Sequence, residues 1–374
     1  MLAALVLLAA EAPRQISETT AGAYEASLAS TSAGFAIAWY DTRDGHPEIY
    51  MRNLDARGQP ASSERRLTNG SAAAYEADIA AAGDRRFIAW YEHGPADASR
   101  AMLGAWADTG LPLWSKTMSA AGRNGRNPVV RVRDRTIFYA WLEYDAGGDP
   151  DVWAAWLDLD GRPAAPARRI APAGRTTWNL NAALGNPDRA WIAFDANAGT
   201  ASDELFLARV EKSSSQVYRV TADDGKPSKY PDIGLNGSRA AVTWFDERDG
   251  NQEVYLAIAS IDALTRGVEP RAIRVTHTPG ESIGAYLAWN GDRLGLAWSD
   301  NTPGQSEIYV ETFDAGLHAL EPVRRITDNP TQSLIPSIRA AGDGFALAWN
   351  EFVPGPAGGH DPRGTSQIAF ALVR

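Results

Sequence analysis

The sequence predicts an all-β fold: a seven-bladed β-propeller of four-stranded antiparallel blades. Three observations predict it. The first is a repeat. The stretch Phe35-Ala36-Ile37-Ala38-Trp39-Tyr40-Asp41 returns as Phe87–Glu92, Phe138–Glu143, Trp191–Asp195, Ala241–Asp246, Gly295–Asp300 and Ala346–Glu351. Its closing aromatic falls at 39, 90, 141, 194, 244, 298 and 349, in steps of 51, 51, 53, 50, 54 and 51. Self-similarity at this period marks a repeat architecture and outranks local propensity. The second is a tetrad, Arg14-Gln15-Ile16-Ser17, which recurs as Arg65–Thr68, Lys116–Ser119, Arg168–Ala171, Tyr218–Thr221, Ile273–Thr276 and Arg324–Thr327. Its last residue precedes the aromatic by 22 or 23 residues in every unit. The third is the lack of any sustained helical period: short apolar runs alternate with turn formers.

Each unit reads as four strands. Strand A is a short segment such as Ala77–Ala80, Pro231–Gly234 or Pro336–Arg339. A tight turn follows, Gly83-Asp84, Asn236-Gly237, Gly291-Asp292 or Gly342-Asp343, whose residues tolerate positive φ. Strand B is the founding stretch. A longer loop leads to strand C, as in Glu48-Ile49-Tyr50 and Glu253-Val254-Tyr255, and the tetrad is strand D.

Strand B explains radial stacking. Side chains alternate faces, so Ile37, Ile88, Tyr139, Ile192, Val242, Leu296 and Leu347 share the face of the aromatic. The residue just before the aromatic faces the other way and is small: Ala38, Ala89, Ala140, Ala193, Thr243, Ala297 and Ala348. A small face against a large one lets neighbouring sheets interdigitate, and four-stranded sheets repeated about an axis are propeller blades. The first unit begins with an orphan strand D and the last stops after strand C. The N-terminal strand, Gln15–Ser17, is therefore expected to pair with Ile368–Leu372, closing the ring and removing its open edges.

Composition narrows the function classes. A net charge of −10 argues against a nucleic-acid partner, which needs a basic footprint. With no cysteine there is no disulfide, thiolate metal site or Cys nucleophile. Residues 1–10 are apolar throughout and too short to span a bilayer. With Ala10-Glu11-Ala12 as a small-x-small cleavage site they read as the remnant of a signal peptide over 1–12, without its positive start. The expectation is an exported bacterial protein, periplasmic or secreted, with one propeller domain over 13–374, a monomer with no transmembrane segment.

Two stretches carry a family resemblance. Trp39-Tyr40-Asp41-Thr42-Arg43-Asp44-Gly45-His46-Pro47-Glu48-Ile49-Tyr50, followed by Arg65-Arg66-Leu67-Thr68, resembles the TolB-type, WD40-like propeller repeat, and Trp244–Tyr255 does so as well. In that repeat an R-D-G-N turn precedes an E-I-Y strand and an R-L-T strand closes the unit. The resemblance is close in units one and five and loose elsewhere. It lacks the family's S-P-D-G turn between strands A and B, and the period here is longer. It implies the fold and an exported, binding-type role, and it carries no catalytic residue. A weaker similarity is to sialidase-like propellers: Thr221-Ala222-Asp223-Asp224-Gly225 matches the first half of their Asp-box, and Pro227 and Ser228 then depart from it.

Candidate chemistry falls into two sets. An acid recurs just beyond each aromatic: Asp41, Glu92, Glu143, Asp195, Asp246, Asp300 and Glu351. Repetition in every blade favours a structural role, each carboxylate accepting the N–H bonds of its turn or pairing with an arginine such as Arg43 or Arg248. Asp-x-Arg-Asp-Gly at 41–45 and 246–250 offers oxygens to calcium, but the central arginine opposes a cation, and no metal site is assigned. The five histidines are scattered, no serine sits in a nucleophile elbow, and no cofactor motif is present. The second set lies on the inner strands and their loops: Glu25, Glu76, Asn127, Arg131, Tyr230 and Arg339. These differ from blade to blade, and variation on a repeated scaffold is where specificity is written. The long loop 353–364, with His360, breaks the repeat and joins this set.

The expected function is a non-catalytic scaffold that binds a protein or glycan on the face of the B–C and D–A loops. The ligand is neutral or cationic, given the net charge. The alternative is a carbohydrate-active enzyme on a sialidase-like propeller. A third reading is a structural module of an envelope assembly.

Overall fold

The computed structural model describes residues 12–94, 98–144, 148–174, 177, 179–266, 268, 270–353 and 365–374. The leader over 1–11 and the loop 354–364, with His360, lie outside these residues.

Seven four-stranded antiparallel sheets surround an axis. Blade 1 runs Ala23–Thr31, Gly34–Asp41, Glu48–Asp55 and Arg65–Arg66, from the axis outward. Its strand A contacts strand A of blades 2 and 7, and that contact repeats around the closed ring. In blade 7 the outer strand is Arg14–Gln15, with Arg14 opposite Phe370 and Gln15 opposite Ala369. The Ile16 N–H extends the ladder to the Ile368 carbonyl at 2.7 Å. The expected closure is thus present.

The repeated residues have separate jobs. Each strand-B aromatic is buried in the core, and the small residue before it is fully buried in all seven blades: Ala38, Ala89, Ala140, Ala193, Thr243, Ala297 and Ala348 are each 0% exposed. No room exists there for a larger side chain, which is the packing that alternation demands.

The tetrad's last residue closes the blade's outer edge with its side chain. The hydroxyls of Ser17, Thr68, Ser119, Thr221, Thr276 and Thr327 accept the N–H of Ile368, Ile49, Ala101, Leu205, Val254 and Ile308, at 2.8–3.2 Å. A hydroxyl here stands in for a backbone carbonyl, so regular strand D can end early. Blade 3 has Ala171 instead, and its outer strand runs on over Pro163–Pro172, with Ala171 opposite Val152. Several of these hydroxyls also donate to a buried glutamate that opens strand C: Thr68 to Glu48, Thr221 to Glu204 and Thr276 to Glu253. The tetrad's arginine completes the lock, Arg66 to Glu48 at 2.7 Å and Arg274 to Glu253 at 2.8 Å.

No helical period is legible in the sequence, yet a five-residue helix, Ile261–Thr265, follows strand C of blade 5. It is capped by Ser260, whose hydroxyl accepts the Ala263 N–H at 3.0 Å. One turn is too short to register as a period. No helix of the described residues is long and apolar enough to cross a membrane.

Candidate functional site

The acids beyond the aromatics are consumed by their own turns. Asp246 is 1% exposed and accepts from Trp244 Nε1 at 3.0 Å, Ser228 Oγ at 2.8 Å and the Arg248 backbone at 3.0 Å. Arg248 adds two side-chain bonds, at 2.8 and 2.5 Å. Asp41 is fully buried and accepts from Trp39 Nε1 at 3.2 Å and from the Arg43 backbone and guanidinium at 3.0 and 2.6 Å. Glu143 and Glu351 take the indole N–H of Trp141 and Trp349, at 3.1 and 2.6 Å. Asp300 binds Ser282, Thr278 and the Thr302 N–H at 2.7–2.8 Å, and Glu92 pairs with Arg100 at 2.6 Å. Burial pushes the Asp246 carboxyl up, but the bonds from Arg248, Trp244 and Ser228 outweigh it and hold it below its ordinary value.

Asp195 is a correction to this set. It directly follows its aromatic, whereas the other six stand two residues on. Ala196 faces Glu204 as Asp41 faces Glu48, so Asp195 takes the place of Tyr40 and its side chain points to the other face. Its carboxylate accepts the Tyr230 N–H of the next blade at 3.1 Å. Asn350 does the same for Glu25, at 3.0 Å, and Ser299 for Ile335, at 3.2 Å. In blades 4, 6 and 7 the residue directly after the aromatic is therefore an inter-blade latch.

Those latches hold the site. Near the start of strand A most blades carry a two-residue bulge, as between Tyr24 and Ser27, Tyr75 and Asp78, or Lys229 and Asp232. The first bulge residue is left-handed: Glu25, Glu76, Asn127, Tyr230 and Ile335 have φ of 56°, 53°, 49°, 54° and 55°. Blade 6 has Gly284 there, at 61°. In blade 4 the corresponding stretch includes residues outside those described. Strand A begins at the D–A loop and strand B ends at the B–C loop, so these residues ring the axis on the face of those loops.

Four of the sequence candidates, Glu25, Glu76, Asn127 and Tyr230, thus share one structural position. The other two described candidates lie elsewhere. Arg131 and Arg339 stand four residues further along strand A, deeper on the axis. Arg131 binds Asp78 at 2.6 Å, the Ala182 carbonyl at 2.7 Å and Asn181. Arg339 lies within charge range of Arg131, Asp78 and Asp232. Two arginines and two aspartates neutralise one another, and they form a floor beneath the mouth. Asp78 and Asp232 also accept N–H bonds across blades, from Val130 and Leu287 at 2.8 and 2.9 Å.

Apart from Tyr230, the tyrosines around the mouth went unnoticed in the sequence. Tyr24 stacks on Tyr40 at 5.1 Å and Tyr75 on Tyr91 at 5.4 Å, while Tyr40 meets Tyr75 edge-on at 5.3 Å. Arg126 lies 5.9 Å from the rings of both Tyr91 and Tyr144. Tyr230 stacks on Phe245 at 5.5 Å. Tyr24 and Tyr75 precede the bulge, and Tyr40 and Tyr91 follow the aromatic in the latch position. The signal was the variation at that position: Tyr40, Tyr91, Leu142, Asp195, Phe245, Ser299 and Asn350.

Glu25 and Glu76 lie deep among protein atoms, although part of each side chain still faces the mouth. Burial pushes the Glu25 carboxyl up to about 7. It pushes Glu76 up to about 8, with the charge of Glu25 adding to the rise and Arg126 and the Asn127 N–H opposing it. Burial first, and then the glutamates, raise Tyr40 and Tyr91, which stay protonated. The mouth therefore offers two carboxyls that exchange protons near neutral pH among hydroxyl-bearing rings. Among the described residues no group of His, Asp and Glu could hold a metal ion.

No protein-family model and no curated protein matches this sequence. Solved structures do. The chain is similar to the phage phi92 endosialidase, with a TM-score of 0.58 and 10% identity over 98% of this chain and 69% of that one. It is also similar to a puromycin-hydrolyzing peptidase of Mycobacterium tuberculosis, with a TM-score of 0.57 and 12% identity over 88% of this chain. The chain spans 50% of that peptidase. At such identity the likeness is one of fold, and it makes this chain a β-propeller.

Proposed function

We propose that this propeller is a binding scaffold whose ligand, a protein or a glycan, docks at the axis on the face of the B–C and D–A loops. One observation carries the reading. Five bulge positions around the mouth hold a non-glycine residue in the left-handed region, which glycine adopts without strain, as at Gly284, and which, of these five, only Asn127 adopts readily. Each such residue costs on the order of 1–3 kcal/mol, and such strain gathers at functional sites. The five side chains are two acids, an amide, a phenol and an aliphatic chain. A repeated backbone that carries unlike side chains at a cost suits recognition. The resemblance of units one and five to TolB-type repeats supports an exported, binding-type role, and we place the protein in the bacterial periplasm or outside the cell as a monomer. Cell fractionation tests the location.

The ligand test is a glycan-array and pull-down screen followed by Glu76→Ala. That variant should weaken binding at least tenfold while the fold is retained. A ligand whose contacts are confined to the A–B turns would overturn the reading.

A second reading is a carbohydrate-active enzyme. It is favoured by the charge coupling of Glu25 and Glu76, since a carboxyl that holds its proton near neutral pH suits general acid catalysis. Release of sugar from a glycan library by the wild type, abolished in both Glu25→Gln and Glu76→Gln, would establish it. No turnover with retained binding would leave the scaffold.

A further inference from the structure

Blade 6 breaks the ring of bulge side chains. Its bulge residue is Gly284, while blades 5 and 7 on either side carry Tyr230 and Ile335. Both of these are large and hydrophobic, and both stay open to solvent, at 41% and 39% exposure. A Cβ placed on Gly284 would touch only the edge of the Tyr286 ring, at 4.0 Å, so the place of the missing side chain is open. The mouth therefore has a notch at blade 6 with an apolar wall on each side.

The notch leads to two groups with donors to spare. Tyr286 stands two residues beyond Gly284 on strand A. In its blade it takes the place of Asp78 and Asp232, opposite the small residue before the aromatic. Its half-buried phenol lies within charge range of Glu25 and Tyr230 at the mouth and of Asp78 and Asp232 in the floor. Among the described residues no group bonds its hydroxyl. Arg339 comes from the next blade. One of its five N–H bonds goes to the Ile338 carbonyl at 2.7 Å, and among the described residues no acceptor takes the others. The two aspartates within its charge range are occupied elsewhere. Asp78 accepts from Ser27, Val130 and Arg131, and Asp232 from Ile233 and Leu287. Arg131 is thus saturated, whereas Arg339 keeps an open fork.

A guanidinium fork matches the two oxygens of a carboxylate. We infer that the notch takes the C-terminus of a peptide, whose carboxylate meets the Arg339 fork and the Tyr286 hydroxyl while its last, apolar side chain lies between Tyr230 and Ile335. This rests on the mouth being the ligand site. Apolar walls favour a peptide over an acidic sugar, which would bring hydroxyls against them without partners. The chain's net charge of −10 acts at long range and is screened by salt, whereas a terminal carboxylate answers to the groups it meets.

The probes are N-acetyl-alanyl-leucine as the free acid, its C-terminal amide, the N-acetyl-alanyl-serine acid and an oligosaccharide ending in glucuronate. Binding to the full chain is followed by calorimetry and mapped by NMR. The leucine acid should bind at least tenfold more tightly than its amide and severalfold more tightly than the serine acid, with shifts at Gly284, Tyr286 and Ile335. Arg339→Gln should erase the preference for the acid. Tyr286→Phe should cut that preference severalfold, and it decides the matter if Arg339→Gln fails to fold. Gly284→Asn should weaken the leucine acid at least tenfold by filling the notch. Asn127 holds the same left-handed backbone in blade 3, so that loss cannot come from strain. Equal affinity of acid and amide, a preference unchanged in a folded Arg339→Gln or in Tyr286→Phe, or unchanged binding in Gly284→Asn overturns the inference. The glucuronate oligosaccharide binding at the notch while the peptides do not would overturn it and leave the mouth as the ligand site. Shifts confined to another face would overturn both.

Discussion

Two sets of carboxylates sit on one face of this propeller in opposite circumstances. Asp246, at the end of strand B, is buried with five hydrogen bonds, two of them from one guanidinium. Glu76, on strand A nearer the axis, is half-buried, and among the described residues one backbone N–H and a distant arginine favour its charge. The first carboxyl is held below its ordinary value and the second is pushed far above it. Burial opposes charge in both; the difference is the number of donors and, at Glu76, the added charge of Glu25. The repeated acid is a structural part. The unrepeated one is left short of partners, as a group reserved for something outside the chain would be.

The strongest way to break this contrast is to remove a saturated acid. Asp246→Ala strands the Trp244 indole, the Ser228 hydroxyl and the Arg248 guanidinium in a buried pocket, and should cost about 3–5 kcal/mol in urea unfolding. Its pH dependence carries a sign. A depressed carboxyl contributes stability that is present above its ordinary value of 3.8 and lost as pH falls below it. The variant should therefore resist acid relatively better than the wild type does. A cost below about 1 kcal/mol, the size of an ordinary surface change, would remove the structural side of the comparison.

Next in size is a test of the blade packing that holds both sets in place. Ala89 is fully buried between blades 2 and 3. Ala89→Leu should overpack that contact and cost roughly 1–3 kcal/mol, read from the same unfolding curves. Neutral behaviour would mean that neighbouring blades can slide apart at no cost.

Glu76→Gln probes the mouth and should have the opposite sign. The folded chain keeps this proton to about pH 8, while an unfolded chain releases it near 4.5. The penalty of the carboxylate is therefore absent below 4.5 and grows until about pH 8. A tenfold change in proton affinity is worth about 1.4 kcal/mol. Allowing for partial exposure, Glu76→Gln should stabilise the fold by about 1–3 kcal/mol at pH 9 and have little effect at pH 4. Thermal melts at the two pH values check it, and destabilisation at both would place Glu76 with the structural acids.

The smallest effect is expected at Ile335, a β-branched residue at φ 55° and 39% exposed. Ile335→Gly relieves the left-handed strain but frees the unfolded chain, so the variant should be roughly 0–1 kcal/mol more stable. A larger loss would show that Ile335 anchors the mouth through contacts, and the idea of a side chain held there at a cost would fail.

The sequence by itself determined the ring. Period, strand order, the buried small residue before each aromatic and the N-terminal strand's closure of blade 7 all follow from what each blade needs in order to stack, and that need recurs seven times. The same repetition made Asp41 and Asp246 readable as turn acids, since Arg43 and Arg248 stand two residues away. It misplaced Asp195, because an acid near an aromatic looks alike at one residue or two, while the pleat sends the two to opposite faces. It also grouped Arg131 and Arg339 with Glu25 and Glu76. Tertiary structure alone separated them, because the bulge in strand A turns the glutamates into the mouth while the arginines lie four residues deeper, against Asp78 and Asp232. The tyrosine cluster was equally a decision of the fold. Tyr24, Tyr40, Tyr75 and Tyr91 belong to two blades and to strands A and B, and only radial packing at the axis brings them into contact. A linear pattern records what each blade requires of itself, whereas the mouth is set by what different blades place beside one another.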